Sequence, residues 1–443
     1  MAIPSLSSPP SFQDPLPDAV DVVVIGGGVV GVSTALFLAE AGIPTLLCEK
    51  GRIAGEQSSR NWGWIRQQGR DLAEIPLMRE SRELWMRLSN EVGDDIGLTQ
   101  CGCLYLAETH DELAAFETWL ELARPHQLDS RMVSSAEINT MIDAPPDQWI
   151  GGLHTPSDCR AEPFAAVPAF ARLARDKGAR IVENCAVRAI DTEAGRVAGV
   201  VTESGRVRAR SVVCAAGAWT SLFARRLGID VPQLTVKACV ARTTPGRMIF
   251  EGCAAGPDLA FRLRRDGGYT VALPGYHEHF LARDSLRYAR LFLPNFRAHW
   301  RETKLRLGDG FMQRFAAPEQ WAEDRESPFE RTRILDPSPT PAALRRLRKR
   351  VRQRLPGLGD ADFVQAWAGM IEAAPDNVPM IGETPSPAGF FIATGFSGHG
   401  FGIGPAAGRI VADLVRGNPP GHDLHRFRLD RFEDGSVVLG PSL

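Results

Sequence analysis

Apolar positions near the start of the chain change their spacing twice. Residues 21–25 read Asp-Val-Val-Val-Ile, an apolar run of strand length; glycines at 26, 27, 28 and 31 break it, and residues 32–41 then have helical composition up to Gly42. A short apolar run bounded by glycine predicts a buried strand, and a longer one closed by glycine predicts a helix. Residues 45–49 predict a second strand. Three more are expected over 181–190, 197–202 and 207–214, the last running into Ala215-Ala216-Gly217-Ala218-Trp219, where small residues allow close backbone approach. Near the end, the apolar run at 390–394 leads into a loop with glycines at 395, 398, 400, 402 and 404, and a helix is predicted over 405–415.

The intervening segments are less regular. Residues 111–123 have helical apolar spacing, 269–273 follow Asp266-Gly267-Gly268 as the return of a hairpin, and 327–341 form a connection punctuated by proline. Leu344, Leu347, Val351 and Leu355 recur at three- and four-residue intervals among seven Arg and Lys residues, which predicts an amphipathic basic helix with a solvated face. No internal repeat is evident.

The first of these patterns carries chemistry. Gly26-x-Gly28-x-x-Gly31 sits between a strand and a helix, where Gly26 allows the tight turn, Gly28 lets backbone approach a pyrophosphate, and Gly31 lets the helix pack closely on the sheet. Glu49 ends the second strand, 21 residues after Gly28, placed to accept hydrogen bonds from ribose hydroxyls and to disfavour a 2′-phosphate. This predicts dinucleotide binding without separating NAD from FAD.

Composition narrows the class. A chain of 443 residues suggests two or three domain-sized units at ~150 residues each. With 44% hydrophobic and 23% charged residues it is an ordinary globular sequence, which excludes wholesale disorder and coiled coil. A net charge of −2 gives no bulk attraction to nucleic acid or anionic lipid, and neither partner is expected. The 8 cysteines show no Cys-x-x-Cys and no regular spacing, so no disulfide framework and no metal site is expected, and a reduced, cytoplasmic setting is. Residues 1–17, rich in Ser and Pro, predict a disordered leader rather than a signal peptide, and the apolar stretch 22–41 is too glycine-broken for a membrane span.

Taken together, the N-terminal fingerprint, Ser58-Ser59-Arg60-Asn61-Trp62-Gly63, the Ala215-Ala216-Gly217 segment, residues 367–382 and Gly-Phe-Ser-Gly-His-Gly at 395–400 resemble the D-amino-acid oxidase superfamily of FAD-dependent oxidoreductases, over nearly the whole chain from 21 to about 432. The resemblance implies an α/β and α+β fold: a Rossmann-type FAD-binding domain interleaved with a mixed-sheet substrate domain. It assigns residues 18–82, 155–235 and 362–432 to the first and 83–154 and 236–361 to the second, leaving a tail at 433–443. It also implies that Gly398, His399, Gly400 and Gly402 meet the isoalloxazine, where a helix opening would aim its positive end at the charge that reduced flavin carries. Ser58 to Gly63 would line the pyrophosphate and the flavin edge, and Val187 would meet the adenine. Lys50, Ala216, Gly217 and Trp219 complete the expected cofactor set.

The resemblance implies oxidation of a CH–NH or CH–NH2 bond of an amino acid or related amine, giving an imine that hydrolyses. His399 is the candidate catalytic group, with a structural and electrostatic role favoured over that of general base. Expected substrate-side residues are Trp62, Trp64, Arg66, Tyr269, Tyr276, Trp367 and Phe396, the arginine as a carboxylate clamp or a pyrophosphate contact. The segment matching the family's cysteine attachment site reads Ala366-Trp367-Ala368-Gly369-Met370, and no His occurs between 51 and 80, so FAD is expected to be non-covalent. Residues 269–290 hold no Lys where sarcosine oxidase places one; they offer His277, His279 and Arg283, with Lys237 on an earlier strand. The electron acceptor, dioxygen or a redox carrier, stays open, with poor dioxygen use expected. Two alternatives remain: a hydroxy-acid or polyol dehydrogenase on the same fold, and a non-enzymatic flavoprotein. A flavin monooxygenase would need a second dinucleotide fingerprint, and none is present.

Overall fold

The computed structural model describes residues 3–93, 95–307, 321–359 and 362–434. Its centre is the apolar strand Val22–Ile25, paired in parallel with Thr45–Glu49 on one side and Ser211–Cys214 on the other. Arg180–Glu183 and Phe390–Thr394 extend the sheet in parallel, and Met380–Glu383 closes one edge antiparallel. Successive residues of a strand face opposite ways. Val22, Val24 and Leu47 accordingly pack on the helices Val29–Glu40, Pro163–Asp176 and Gly400–Val415, while Val23, Ile25 and Leu46 pack under a three-stranded antiparallel sheet of Val187–Glu193, Arg196–Thr202 and Gly205–Arg208. Burial on both faces explains why these strands read as unbroken apolar runs.

A second, mixed sheet of ten strands stands beside the first. Its longest pairing joins Leu234–Thr243 antiparallel to Phe363–Ala373, and its far end is Cys103–Ala107, Gly151–Thr155 and Arg131–Ser134. This is the mixed α/β architecture expected from the sequence, with one difference in assignment: Phe363–Ala373, expected with the nucleotide-binding part, pairs along its length in the second sheet.

Several local expectations change. The run 181–190 is two strands in different sheets, because Asn184 takes a left-handed φ of +53° between Arg180–Glu183 and Val187–Glu193. The run 207–214 likewise divides into Gly205–Arg208 and Ser211–Cys214. The last helix opens at Gly400 rather than 405, with Pro405 inside it. Its small residues let it lie close to the first helix: a Cβ on Gly404 would meet Val29 at 2.7 Å and one on Gly408 would meet Ser33 at 2.5 Å. Residues before 18, expected to be a disordered leader, are tied down. Phe12 is buried, the Ser11 N–H donates to Glu183, and the Asp14 carboxylate accepts from the Ile181 N–H. The tail expected at 433–443 lies outside the described residues beyond 434. The basic helix spans Pro341–Arg354 and buries Ala343, Leu347 and Val351; Arg354 is bonded to Glu108 and Asp258, whereas Arg345 and Lys349 are exposed.

Candidate active site

One cavity of about 680 Å³ runs between the two sheets. At one end, Gly26 turns with φ +108°, and a Cβ there would lie 2.5 Å from the Ala215 carbonyl; a Cβ on Gly31 would lie 2.0 Å from the Gly26 carbonyl. Only glycine fits either position. The helix Val29–Glu40 opens from Gly28 without a cap from its own N-cap side chain, and the Ser58 hydroxyl accepts from the Val29 N–H at 2.9 Å. Glu49 accepts from the N–H groups of Gly27 (2.6 Å) and Gly51 (2.7 Å). Burial pushes its carboxyl up to about 7, against the pull of Lys50 and those two donors. Lys50 is held by Glu56 at 2.6 Å and by the carbonyls of Thr332 and Arg333, over the ring of Trp219. Arg60, Asn61, Val187, Ala216 and Gly217 complete this end.

At the far side, residues 395–400 bring a second helix opening to the same cavity. Gly398 has φ +84°, and the helix Gly400–Val415 has His399 as N-cap with no side-chain cap bond. The half-buried imidazole has its Nδ1 3.3 Å from a carboxylate oxygen of Glu74, at the start of the helix Glu74–Glu91. Burial, joined by the charges of Arg70 and Arg66 and opposed by Glu74, pulls His399 down to about 4, so the ring is neutral at pH 7. Burial pushes Glu74 up, but His399, Arg70 and Arg66 outweigh it and hold the carboxyl below its usual range.

The third wall is aromatic and cationic. Trp62 and Trp64 meet edge to face at 5.3 Å between centroids, and the Arg66 guanidinium lies 5.3 Å from the centre of Tyr105. Arg70, 3% exposed, has a buried Nη1 with no hydrogen-bond partner, and the buried Trp64 Nε1 has none either. Burial, with the neighbouring Arg66 charge, lowers the Arg70 guanidinium to about 10. A buried donor without an acceptor is costly, so these groups point to an anion that is absent from the protein itself.

Most of the expected residues line this cavity: Gly26, Gly28, Glu49, Lys50, Ser58, Arg60, Asn61, Trp62, Trp64, Arg66, Val187, Ala216, Gly217, Trp219, Phe396, Gly398, His399 and Gly400. Others stand outside it. Gly31 packs helix on turn; Gly63, at φ +78°, passes so close to the Ala161 carbonyl that a Cβ would lie 2.5 Å from it; Gly402 offers its carbonyl to Ser81 and Trp85. Ser59 is fully buried and donates to the Glu56 carbonyl. Tyr269 is a core residue whose hydroxyl serves Ile249 and Phe250, Tyr276 packs against core under Arg346, and Trp367 donates to the Arg60 carbonyl while packing on Phe164. Lys237 is paired with Glu278, away from the cavity lining. The sequence reading missed Arg70, Tyr105, Phe116 and Glu372, which line the cavity from a loop, two strands and a helix, and Glu74 behind it. Arg70 had one visible signal, its spacing of four residues from Arg66.

The residues present fit FAD. Two helix openings face one cavity, the first with its Val29 N–H met by the Ser58 hydroxyl and the second without a side-chain cap; each turns a positive end toward an anion, and the Glu49 carboxyl stands at the strand end where the fingerprint expects the ribose.

The family model described as FAD dependent oxidoreductase (DAO) matches residues 21–414. A solved L-amino acid deaminase from Proteus myxofaciens, in complex with anthranilate, superposes with a TM-score of 0.91 at 30% identity, over 95% of each chain. The glycine oxidase of Pseudomonas aeruginosa is 27% identical over 90% of this chain and 95% of its own. The mitochondrial sarcosine dehydrogenase of Homo sapiens is 26% identical over 94% of this chain, which spans only 42% of that longer protein.

Proposed function

The chain belongs to the DAO family of FAD-dependent oxidoreductases, and from that premise we propose that it oxidises the Cα–N bond of an amino acid to an imine, which water hydrolyses to the keto acid. The observation that carries this reading is the unpartnered Arg70 Nη1 beside Arg66 and the unpartnered Trp64 Nε1, all lining the cavity. A substrate carboxylate would satisfy these donors together, and a guanidinium suits a planar carboxylate better than a point charge does. Trp62, Tyr105 and Phe116 then enclose the amino acid's side chain, which favours an apolar one.

Bound FAD supplies the acceptor for two electrons, taken as hydride from the substrate carbon. The protein's task is to hold that carbon in place and keep water from it. With its carboxylate anchored, the substrate cannot rotate away from the loop at 395–400, and orientation of this kind is worth several kcal/mol of barrier. Neutral His399, whose lowered pKa makes it a weak base and whose Nδ1 faces Glu74, acts by electrostatics and shape rather than as a strong base. The reactive form of the substrate is the free amine, so kcat/KM rises with pH as the ammonium loses its proton.

FAD is proposed to be non-covalent: the two cysteines that line the cavity, Cys48 and Cys185, stand beside Glu49 at the nucleotide end. Poor reaction with dioxygen is also proposed, because Lys50 is the one lysine among the described lining residues and Glu56 holds it. A redox carrier would then take the electrons. Among the described residues no helix is long and apolar enough to cross a membrane, and eight free cysteines support a cytoplasmic setting.

Anaerobic mixing of the purified protein with L- and D-amino acids, N-methyl amino acids, polyamines and hydroxy acids tests the reading. Bleaching of oxidised flavin by amino acids, with release of ammonia or amine, is expected. Reduction by hydroxy acids or polyols alone would transfer the function to alcohol oxidation.

A further inference from the structure

The middle of the cavity holds a carboxyl group that neither end requires. Glu372 lies near the end of the strand Phe363–Ala373, is 4% exposed and lines the cavity, yet its Oε2 is buried without a hydrogen-bond partner. Its backbone belongs to the loop at 395–400: the Glu372 carbonyl accepts from the Ser397 N–H at 3.0 Å, and the adjoining Ala373 bridges Phe396. Its side chain belongs to the other end. A Cβ built on Gly217 would lie 3.9 Å from Glu372 Oε2 and 3.3 Å from Gln57 Nε2, so the acid and the amide stand over the same stretch of backbone at Gly217, and Gln57 directly precedes Ser58.

Glu372 therefore sits where the cavity passes from the fingerprint helix to the glycine loop. In FAD, the segment that joins the pyrophosphate to the ring system is a sugar-alcohol carbon chain bearing three hydroxyls. We propose that Glu372, assisted by Gln57, is the positioning residue for this sugar-alcohol chain, with Oε2 hydrogen-bonded to one of its hydroxyls; this rests on the FAD reading above.

Three properties support the assignment. The group is buried, so its orphan oxygen is costly until a ligand meets it. Burial pushes its carboxyl up to about 7, with Glu56 adding to the shift against Gln57 and nearby backbone donors, so a neutral acid able to donate as well as accept is accessible at neutral pH. The substrate's carboxylate already has donors in Arg66 and Arg70, which leaves Glu372 to the cofactor.

The test is FAD binding rather than turnover. Full-length protein stripped of flavin is titrated with FAD and with the three analogues lacking one hydroxyl of the sugar-alcohol chain, following flavin fluorescence. Wild type is expected to bind one analogue about tenfold more weakly than FAD, the worth of a hydrogen bond to a buried group. Glu372→Gln, which keeps a donor and an acceptor, should retain FAD within about threefold and retain that discrimination. Glu372→Leu should lose about tenfold in FAD affinity and bind all four flavins alike. Equal binding of all analogues by wild type overturns the proposal, as does unchanged discrimination in Glu372→Leu or a change confined to the amino-acid concentration needed for flavin reduction. Should the leucine variant fail to fold, wild-type discrimination and its retention in the glutamine variant decide the matter. Failure of wild type to bind FAD at all would instead strike the cofactor reading.

Discussion

The two ends of the cavity are built from different materials. At the nucleotide end the decisive groups are backbone: Gly26 and Gly31 admit no side chain, Glu49 accepts from the N–H groups of Gly27 and Gly51, and Ser58 accepts from that of Val29. At the end proposed for the substrate the groups are side chains from separate parts of the chain, Trp64 on a two-residue strand, Arg70 in a loop and Tyr105 in the second sheet. A site built from backbone is rigid and indifferent to the identity of most neighbours. One built from side chains is open to change in specificity while the first stays intact.

The sharpest break of this comparison is Gly31→Ala. With its Cβ placed 2.0 Å from the Gly26 carbonyl, helix and turn must separate, and the protein is expected to emerge with less than about a tenth of the wild-type flavin content, read from the ratio of flavin to protein absorbance. Arg70→Ala should instead leave flavin content unchanged. The amino-acid concentration that half-reduces the flavin should rise about 30-fold or more, the scale for removing one partner of a buried charged contact. Arg66→Ala sharpens the boundary between the ends: the same weakening with flavin retained places it with the substrate, whereas loss of flavin places it with the pyrophosphate.

A smaller effect concerns His399. Its folded-state value of about 4 lies below the ordinary 6.5, so between these pH values the unfolded chain binds a proton that the folded chain refuses. Stability from this group is complete above about pH 6.5 and is lost as pH falls toward 4. His399→Asn, which cannot titrate, should therefore show a smaller drop in Tm than wild type between pH 7 and pH 5; equal drops would refute the neutral imidazole. Least of all, Arg345→Gln on the exposed face of the basic helix should change stability by less than about 0.5 kcal/mol and leave flavin content and reduction alone. A large effect there would reveal a function on a face read here as solvated.

The same contrast explains what was legible. The nucleotide end is local in sequence: strand, turn, helix and acidic strand end fall between residues 21 and 49, and periodicity with glycine spacing captures all of them. The loop at 395–400 is equally compact. The substrate end is not local. Tyr269, Tyr276 and Trp367 are aromatic like Trp62 and Trp64, and composition cannot tell which of them turns toward the cavity; the packing of the second sheet buries Tyr269 and Trp367 in core and lays the half-buried Tyr276 against it. Arg70 and Glu372 carry no motif, and they gain meaning only when the fold surrounds them and leaves an atom of each without a partner.

By itself the sequence determined that a dinucleotide is bound and which backbone turn receives it, because steric exclusion at glycine and the alternation of buried strands act over a few residues. Only the tertiary structure decided which charges face the cavity, that His399 is neutral, and that the ordinary-looking Glu372 stands between the two ends. Burial and the pairing of charges depend on residues hundreds of positions apart, and desolvation has no signature along a chain.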